Sequence, residues 1–533
     1  MTMPTSAPGT STSPEFAQLL RDICGDQGVV LDDEERSFFS QDLFEKGCVP
    51  TAVVRPESVD AVVRLVQMAG EKGVPLFVRG GGMSYTRAFL PSRDGGLLVD
   101  TSALDAIEEI NVEDGYVTVG AGCTWKTLDA ALAEHNVRTT FWGPFSGARA
   151  TVGGSLSQGS ATFGSGQTGT TAPAVLSVEV VTGNGQVLRS GMDAQEGHTP
   201  FFRNYGPDIT GLFTHDAGAL GIKTKVTLAL EERPQAVGGV SYSFADFDGM
   251  FRAMRDGAKL GLASEIIGMD AAIAGIQAGE RGLLADLRKL RTLVFGASSL
   301  RRGIISGAQA VLKGSAAFRD AAYTAHFIAD ARSDRLLDAK LAELRAVVAP
   351  HGQEIPNAAI GMIRSTPFPD LPLTHLDGRR MLPIHGIIPN SRIAAFREDY
   401  LAYIDSQHEA MREARVEVVE TYASLGRNGF LYEPVWYWED SLELYHERVA
   451  PAEMMASVPR FETNLPAREM VSAMKTAITD IMFAHGAAHL QIGRVYPYLR
   501  GRDNGAVDLL RAARTQLDCA GLINPGSLGL EES

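Results

Sequence analysis

Two groups of residues in this chain have the types and spacing to do chemistry. The first is Val78-Arg79-Gly80-Gly81-Gly82-Met83-Ser84-Tyr85, behind an apolar run that begins at Pro75. Each glycine in a regular element costs roughly 0.5–1 kcal/mol of backbone entropy relative to alanine, so three in a row read as a loop that another group approaches closely. Successive backbone N–H groups in such a loop form a concavity for an anion, a phosphate cradle to which Arg79 and the Ser84 hydroxyl would add charge and direction. Taken alone, these residues also fit a glycine-rich surface turn.

The second group lies near the C-terminal end, in His485-Gly486-Ala487-Ala488-His489 and Gly493-Arg494-Val495-Tyr496-Pro497-Tyr498. Histidines at i and i+4 could hold zinc. The Glu of H-E-x-x-H is missing and Gly486 weakens a helix, so no metal is expected and a structural histidine is the other reading of His485. Arg494 is a fixed positive charge that could meet an anion, and Tyr85, Tyr496 and Tyr498 carry hydroxyls. Between the two groups, Phe430 to Trp438 holds five aromatic residues in nine positions. They are either core or dimer surface, or an aromatic wall for a planar substrate.

Regular elements must position these groups. Residues 52–55 read as a strand stopped by Pro56, and Ser58 caps a helix with apolar Val59, Val62, Val63, Leu65, Val66 and Ala69, ended by Gly73. Residues 75–78 form the next strand, with the cradle at its C-terminal end, where α/β units bind ligands. Strands at 97–99 and 116–119 follow, then a helix at 124–132. Gly120-Ala121-Gly122 has Trp125 where a dinucleotide fingerprint needs its third glycine, so a tight strand-to-helix turn is expected there and not a nicotinamide site. Residues 143–169 contain Gly143, Gly147, Gly153, Gly154, Gly159, Gly164, Gly166 and Gly169, threaded with Trp142, Phe145, Val152, Leu156 and Phe163. They run directly into an apolar strand at 175–181, so the segment reads as backbone wrapped against a large planar ligand and not as a linker.

With 533 residues the chain is expected to form two to four domains, on a soft prior of roughly 150 residues each. Hydrophobic residues at 45% and charged residues at 21% fit a globular enzyme, and a net charge of −15 argues against nucleic acid or an anionic membrane as main partner. Cys24, Cys48, Cys123 and Cys519 form no C-x-x-C pair, so neither a zinc site nor a disulfide framework is indicated. The first fourteen residues read as a disordered tail and not a signal peptide, and no run approaches the roughly 18 apolar residues of a membrane span. A cytoplasmic protein is expected.

In order, the features are a proline-ended strand, a helix, and a strand with Arg-Gly-Gly-Gly-x-Ser, then Val-Gly-Ala-Gly followed by Trp125. After these come Thr151-Val152-Gly153-Gly154-Ser155, Val178-Glu179-Val180-Val181, Gly183-Asn184-Gly185, and Leu212-Phe213-Thr214-His215 leading to Gly218-Ala219-Leu220-Gly221-Ile222. This series resembles the FAD-binding domain of the vanillyl-alcohol oxidase and p-cresol methylhydroxylase superfamily, and residues 517–526 resemble its closing motif. The resemblance implies an α+β fold with a two-subdomain FAD-binding domain at 49–237 and an α+β cap at 238–475. Residues 476–533 would complete the flavin site, and residues 1–48 would be a tail with helices. Within the cap, helical spacing dominates 257–347, strands are expected at 383–388 and 416–422, and a helix at 391–414.

The resemblance also implies function: an FAD-dependent oxidoreductase moving a hydride from an alcohol or phenolic substrate to flavin N5. The alternatives are a 2-hydroxy-acid dehydrogenase of the D-lactate or glycolate type, or a flavin-binding protein without catalysis. Arg79, Gly80, Gly81, Gly82, Met83 and Ser84 would hold the pyrophosphate, and Pro144, Thr151, Gly153, Gly154, Ser157, Gly218, Gly221, Ile222 and Asn524 the rest of FAD. Arg494, Tyr496, His485, Tyr85 and His385 are the candidate catalytic residues. Met83 stands where covalently flavinylated relatives carry His, so noncovalent FAD is expected, with His385 and His446 as the cap-side candidates for a link. Ser157 stands where the phenol branch has a catalytic Asp, and Gly493 where it has the Tyr that precedes Arg494. Expected partners are a small-molecule substrate, oxygen or a cytochrome as electron acceptor, and a second copy in a homodimer.

Overall fold

Short runs of branched apolar residues at 52–54, 76–79 and 97–100 are almost entirely buried, as expected for strands covered on both faces. The computed structural model describes residues 13–270, 322–357, 364, 366–370, 373–375 and 377–530. In it these runs are β2 (Ala52–Val54), β3 (Leu76–Arg79) and β4 (Leu97–Asp100), which with β1 (Val29–Val30) make a sheet of order β1-β2-β4-β3. Both pairings of β4 are parallel. The helix Val59–Lys72 covers this sheet; the Ser58 hydroxyl accepts from Ala61 N at 3.1 Å and Gly73 closes it at φ 65°. The sequence reading ends the first region at residue 48, whereas Val29–Val30 already pairs with β2. Two residues are too few for any period to announce a strand.

The second sheet is antiparallel, made of β5 (Ile107–Asn111), β6 (Tyr116–Gly120), β7 (Val137–Thr139), β8 (Val175–Val181), β9 (Val187–Arg189) and β10 (Ile222–Glu232). Its order is β5-β6-β10-β8-β9, with β7 also on β10. The third sheet comprises β11 (Ala236–Phe244), β12 (Glu265–Asp270), β13 (Tyr323–Ala331), β14 (Gln353–Ile355), β15 (Arg380–Pro383), β16 (Gly386–Pro389), β17 (Val416–Leu425) and β18 (Gly429–Trp438). Its order is β14-β11-β13-β12-β17-β18-β15, with β16 also on β18. The helices Phe247–Leu260, Asp334–Val348, Ile393–Ala414 and Leu465–Ala484 share one hydrophobic core with it.

One expectation needs correcting here, and one pair of alternatives is decided in favour of core packing. Within 257–347, β12 and β13 are strands where helix is expected; an inner strand flanked on both sides shows no clean alternation, so period alone misreads it. The part of that expectation at 271–321 lies outside the described residues. The aromatic run 430–438 is β18, and its period of two sends Phe430, Tyr432, Trp436 and Trp438 into the helix-covered core. Those rings pack the third sheet and make no substrate wall.

A buried ionic network joins the second and third sheets. Arg138 of β7 and Arg364 both meet Asp330 of β13, at 2.9 and 3.0 Å, and Arg364 also meets Glu265 of β12 at 2.6 Å. Glu265 accepts from Gly164 N at 2.8 Å, and the Trp142 ring lies 5.4 and 4.9 Å from the two guanidinium carbons. Single removal of a partner here would leave a buried charge uncompensated.

Burial lowers the pKa of His326, hydrogen-bonded to Ser241 at 2.8 Å, from 6.5 to about 4. Between those two values the unfolded chain binds a proton that the folded chain excludes. Stability therefore falls on acidification by up to about 1.4 kcal/mol per pH unit from this group. The melting temperature of His326→Gln is expected to fall less steeply than that of the parent between pH 6.5 and 5. Parallel curves for the two proteins would refute this.

Candidate functional site

The period of two in β3 decides what the glycine loop faces. Val78 turns to a cleft between the first two sheets, while Arg79 turns to the opposite side. Gly80 and Gly81 then lie flat against residues 149–151, and Gly82 against the Arg79 guanidinium. A Cβ at Gly81 would stand 1.8 Å from the Arg149 carbonyl oxygen and one at Gly80 2.4 Å from Thr151 Oγ1. The facing wall is the helix Val152–Gln158, whose Gly153 packs so closely on Ala121 that an added Cβ would come within 2.6 Å. Ala217, Gly218, Gly221 and Lys223 form the third side, with Lys223 Nζ held 2.7 Å from buried Asp216. Asn524 ties the walls together, accepting from Val78 N at 2.8 Å and donating to Gly218 O at 2.9 Å. The cleft measures about 930 Å³ with its open mouth.

One wall or another of this cleft contains Gly80, Gly81, Gly82, Met83, Ser84, Pro144, Thr151, Gly153, Gly154, Ser157, Gly218, Gly221 and Asn524. Two expected cofactor residues are elsewhere. The Arg79 guanidinium lies behind the loop among Phe38, Phe39 and Phe89, because its strand position turns it away. The Ile222 side chain is buried in the core of the first sheet with Val181 and Leu104.

Past Met83 and Ser84, a polar cluster meets the Gln491 end of the cleft. Its protonation follows from its partners, since a carbonyl oxygen can only accept. His385 Nε2 therefore donates to Leu490 O at 2.9 Å, leaving Nδ1 as acceptor for the Tyr85 hydroxyl at 3.4 Å. His489 Nδ1 likewise donates to His385 O at 2.8 Å, and its ring stacks on Tyr496 at 4.0 Å. Tyr496 in turn accepts from His385 N at 3.0 Å. Burial, reinforced by His489, lowers the pKa of His385 to about 4, so the ring is neutral near pH 7.

The Tyr85 hydroxyl also faces Glu433, which comes from the side of β18 opposite its buried aromatics. Thr421 Oγ1 donates to Glu433 Oε2 at 2.8 Å. Desolvation raises the carboxyl pKa above its ordinary value, only partly offset by the hydrogen bond from Thr421 and by Tyr85, whose single hydroxyl proton can go to Glu433 or to His385 Nδ1 but not to both at once. Desolvation raises Tyr85 as well, with Glu433 and Tyr496 adding to it. Sequence reasoning missed Glu433, although a lone carboxylate inside an apolar alternating run was a usable signal. It also missed Gln491 and Gln158, for which nothing in the sequence stands out; Gln158 Oε1 is buried in the cleft wall without a partner.

Two expected catalytic residues are not brought to this cluster. Arg494 donates to Pro525 O at 3.1 Å, Arg87 O at 2.7 Å and Leu90 O at 2.6 Å, which pins the closing segment to the first sheet's loop. His485 ends the helix Leu465–Ala484 and meets Asp399 at 2.7 Å. His485 and His489 thus face different partners, and no cluster of possible metal ligands occurs among the described residues.

Comparison with known proteins identifies the cofactor. The FAD binding domain family matches residues 50–191. Over 230 residues the chain is 28% identical to the mitochondrial D-lactate dehydrogenase (cytochrome) of Arabidopsis thaliana, covering 42% of this chain and 39% of that protein. The matched region spans less than half the length of such curated relatives. The fold is that of p-cresol methylhydroxylase, with TM-score 0.70, 15% identity and 98% of each chain covered. It is equally that of the 4-ethylphenol oxidase of Gulosibacter chungangensis, with TM-score 0.70, 15% identity, and 98% and 99% covered. FAD is the cofactor, and the lining suits it: glycines and hydroxyls allow main-chain approach, and Gln158 offers an unused polar atom.

Gly81 cannot test this fit, since a side chain there strikes Arg149. Gly154 can: its nearest neighbour to an added Cβ is Thr151 Oγ1 at 3.0 Å. Gly154→Val is expected to keep the circular dichroism of the parent and to bind flavin at least about tenfold more weakly, about 1.4 kcal/mol. Flavin absorbance per chain after gel filtration measures this, and full occupancy in the variant would move the cofactor elsewhere.

Proposed function

From a chain whose residues 50–191 are an FAD-binding domain, in the fold of the vanillyl-alcohol oxidase and p-cresol methylhydroxylase superfamily, we propose an FAD-dependent oxidoreductase acting on an alcohol or phenolic substrate. The observation that supports this reading is the cluster of Tyr85, His385 and Glu433, which lies behind the cleft lining and meets it through Gln491, a hydrogen-bond partner of Tyr85. Bound FAD supplies the acceptor for a substrate hydride. The pyrophosphate would lie against residues 80–84. A substrate hydroxyl beside Tyr85 would pass its proton to the Tyr85 oxygen as that oxygen releases its own to Glu433 or to His385 Nδ1.

The charge at this end favours a neutral substrate over a hydroxy acid. Among the described residues the cleft's lining cation is Lys223, already paired with Asp216, and no arginine lines it. A 2-hydroxy-acid substrate, the reading favoured by the D-lactate dehydrogenase similarity, would need a cation there. Anaerobic bleaching of the flavin separates the readings. Aromatic alcohols or phenols are expected to bleach it. Bleaching by D-lactate or glycolate instead would replace the substrate class, and no bleaching by any of them would indicate a flavin-binding protein without this catalysis.

Replacing Tyr85 with Phe or Glu433 with Gln is expected to lower kcat/KM by about 10²–10⁴-fold with flavin content unchanged. Glu433 must be ionised to accept the proton, and its pKa lies above 4.5. The parent's kcat/KM should therefore rise with pH through a step above 4.5 that Glu433→Gln lacks. Parent-like rates and the same step in both variants would remove the pair from the reaction.

The proposed attachment is noncovalent. Met83 at the cleft offers no imidazole, both ring nitrogens of His385 are engaged, and His446 is buried outside the cleft lining with Nδ1 accepting from Glu443 N at 3.2 Å. Acid precipitation is expected to release all the yellow colour to the supernatant; colour that stays with the pellet would establish a covalent link. Oxygen or a cytochrome as electron acceptor, a homodimer and a cytoplasmic setting belong to this same proposal. No helix among the described residues is long and apolar enough to cross a membrane.

A further inference from the structure

Behind the glycine loop, on the side that Arg79 faces, lies a second cavity of about 1110 Å³ with its mouth included. It shares Gly80, Gly81 and Thr151 with the flavin cleft and nothing else. Four arginines line it: Arg55, Arg79, Arg149 and Arg448. Arg55 is paired with Asp100 at 2.8 Å, and Arg448 with Glu35. Neither Arg79 nor Arg149 has a carboxylate partner among the described residues; Arg149 Nη1 donates to Val449 O at 2.9 Å.

Arg79 is only 4% exposed, yet its Nε and Nη2 find no hydrogen-bond acceptor, and Arg448 Nη1 is likewise buried and unpartnered. Leaving the donors of a buried charged group unsatisfied costs more than leaving those of a neutral group, so an acceptor brought within their reach is favoured. The phenyl rings of Phe38, Phe39 and Phe89 lie 4.6 to 5.5 Å from the Arg79 guanidinium carbon and satisfy its charge in part, but they accept none of its N–H groups in line. Glu35, Asp100 and Asp105 also line the cavity, but Glu35 and Asp100 are taken up by Arg448 and Arg55, and burial lowers the Arg79 pKa, with Arg149 and Arg55 adding to it against the pull of Asp100 and Tyr445. Ser102, Thr124 and Thr127 add hydroxyls to the lining. Several donors around one point suit the three or four oxygens of a phosphate better than the two of a carboxylate.

We propose that this cavity is a second ligand site, distinct from the flavin cleft, that binds a phosphate-type anion between the guanidinium groups of Arg79 and Arg149. An anion there sits against the back of the loop whose front lines the flavin cleft: a Cβ on Gly82 would come within 2.2 Å of Arg79 Nη2. Occupancy therefore stiffens the cradle and slows loss of flavin.

The test uses flavin-saturated protein titrated with inorganic phosphate, with chloride balancing the ionic strength, and reads the melting temperature and the rate of flavin release. A saturable rise in melting temperature with slower release is expected. In Arg149→Gln, which changes an exposed side chain, half-saturation should need at least about tenfold more phosphate, the loss of one charge-assisted contact. Arg79→Lys, which keeps the charge and loses the planar fork, should weaken binding as well. A phosphate response no larger than that of chloride, or an unchanged response in Arg149→Gln, overturns the proposal. The Arg149 variant decides even where Arg79→Lys fails to fold.

Discussion

Everything at the flavin cleft depends on one steric constraint, the direct contact of two stretches of backbone. Gly81 lies so close to the Arg149 carbonyl, and Gly80 to the Thr151 hydroxyl, that neither position has room for a side chain. This contact holds the end of β3 against the start of the helix Val152–Gln158, and so fixes the first sheet relative to the second. Asn524 repeats the constraint from the far end of the chain, with a hydrogen bond to each side. The glycines thus serve two demands at once: some positions let a ligand approach the main chain, and others let the main chain approach itself.

Over this base the third sheet is held by charge. Arg138, Arg364, Asp330 and Glu265 are drawn from both sheets and the segment that follows β14, and in a low-dielectric interior such a network contributes specificity of placement more than net stability. The result is that β17 and β18 present one face to the helices and the other to the cleft. Leu431 and Ala423 on that second face pack with Leu490 and with Ala161 of the cleft wall. Glu433 arrives at Tyr85 because it shares that face.

The polar cluster follows from the same enclosure. Carbonyl oxygens of Leu490 and His385 fix the tautomers of His385 and His489, and burial keeps His385 neutral near pH 7. With its own pKa raised and that of the imidazole lowered, Tyr85 does not give up its proton unaided; it can relay one only by gaining a proton as it loses its own.

Sequence alone was enough for the elements around the cradle, the glycine segment at 143–169, and a family resemblance, because strand length, capping residues and glycine spacing are local properties written in consecutive residues. It was also enough to collect thirteen of the residues that line one cleft, from four distant stretches of the chain. It misjudged direction. Arg79 follows an apolar strand by one residue, and only the sheet register tells that it faces away from the cleft. Arg494 carries the charge a substrate site could use, and only the fold shows three backbone carbonyls around it. The aromatic run at 430–438 hid Glu433 because composition does not say which face of a strand is covered. Which residues are available is a property of the chain; which atoms meet, across hundreds of residues, is decided by how the three sheets pack.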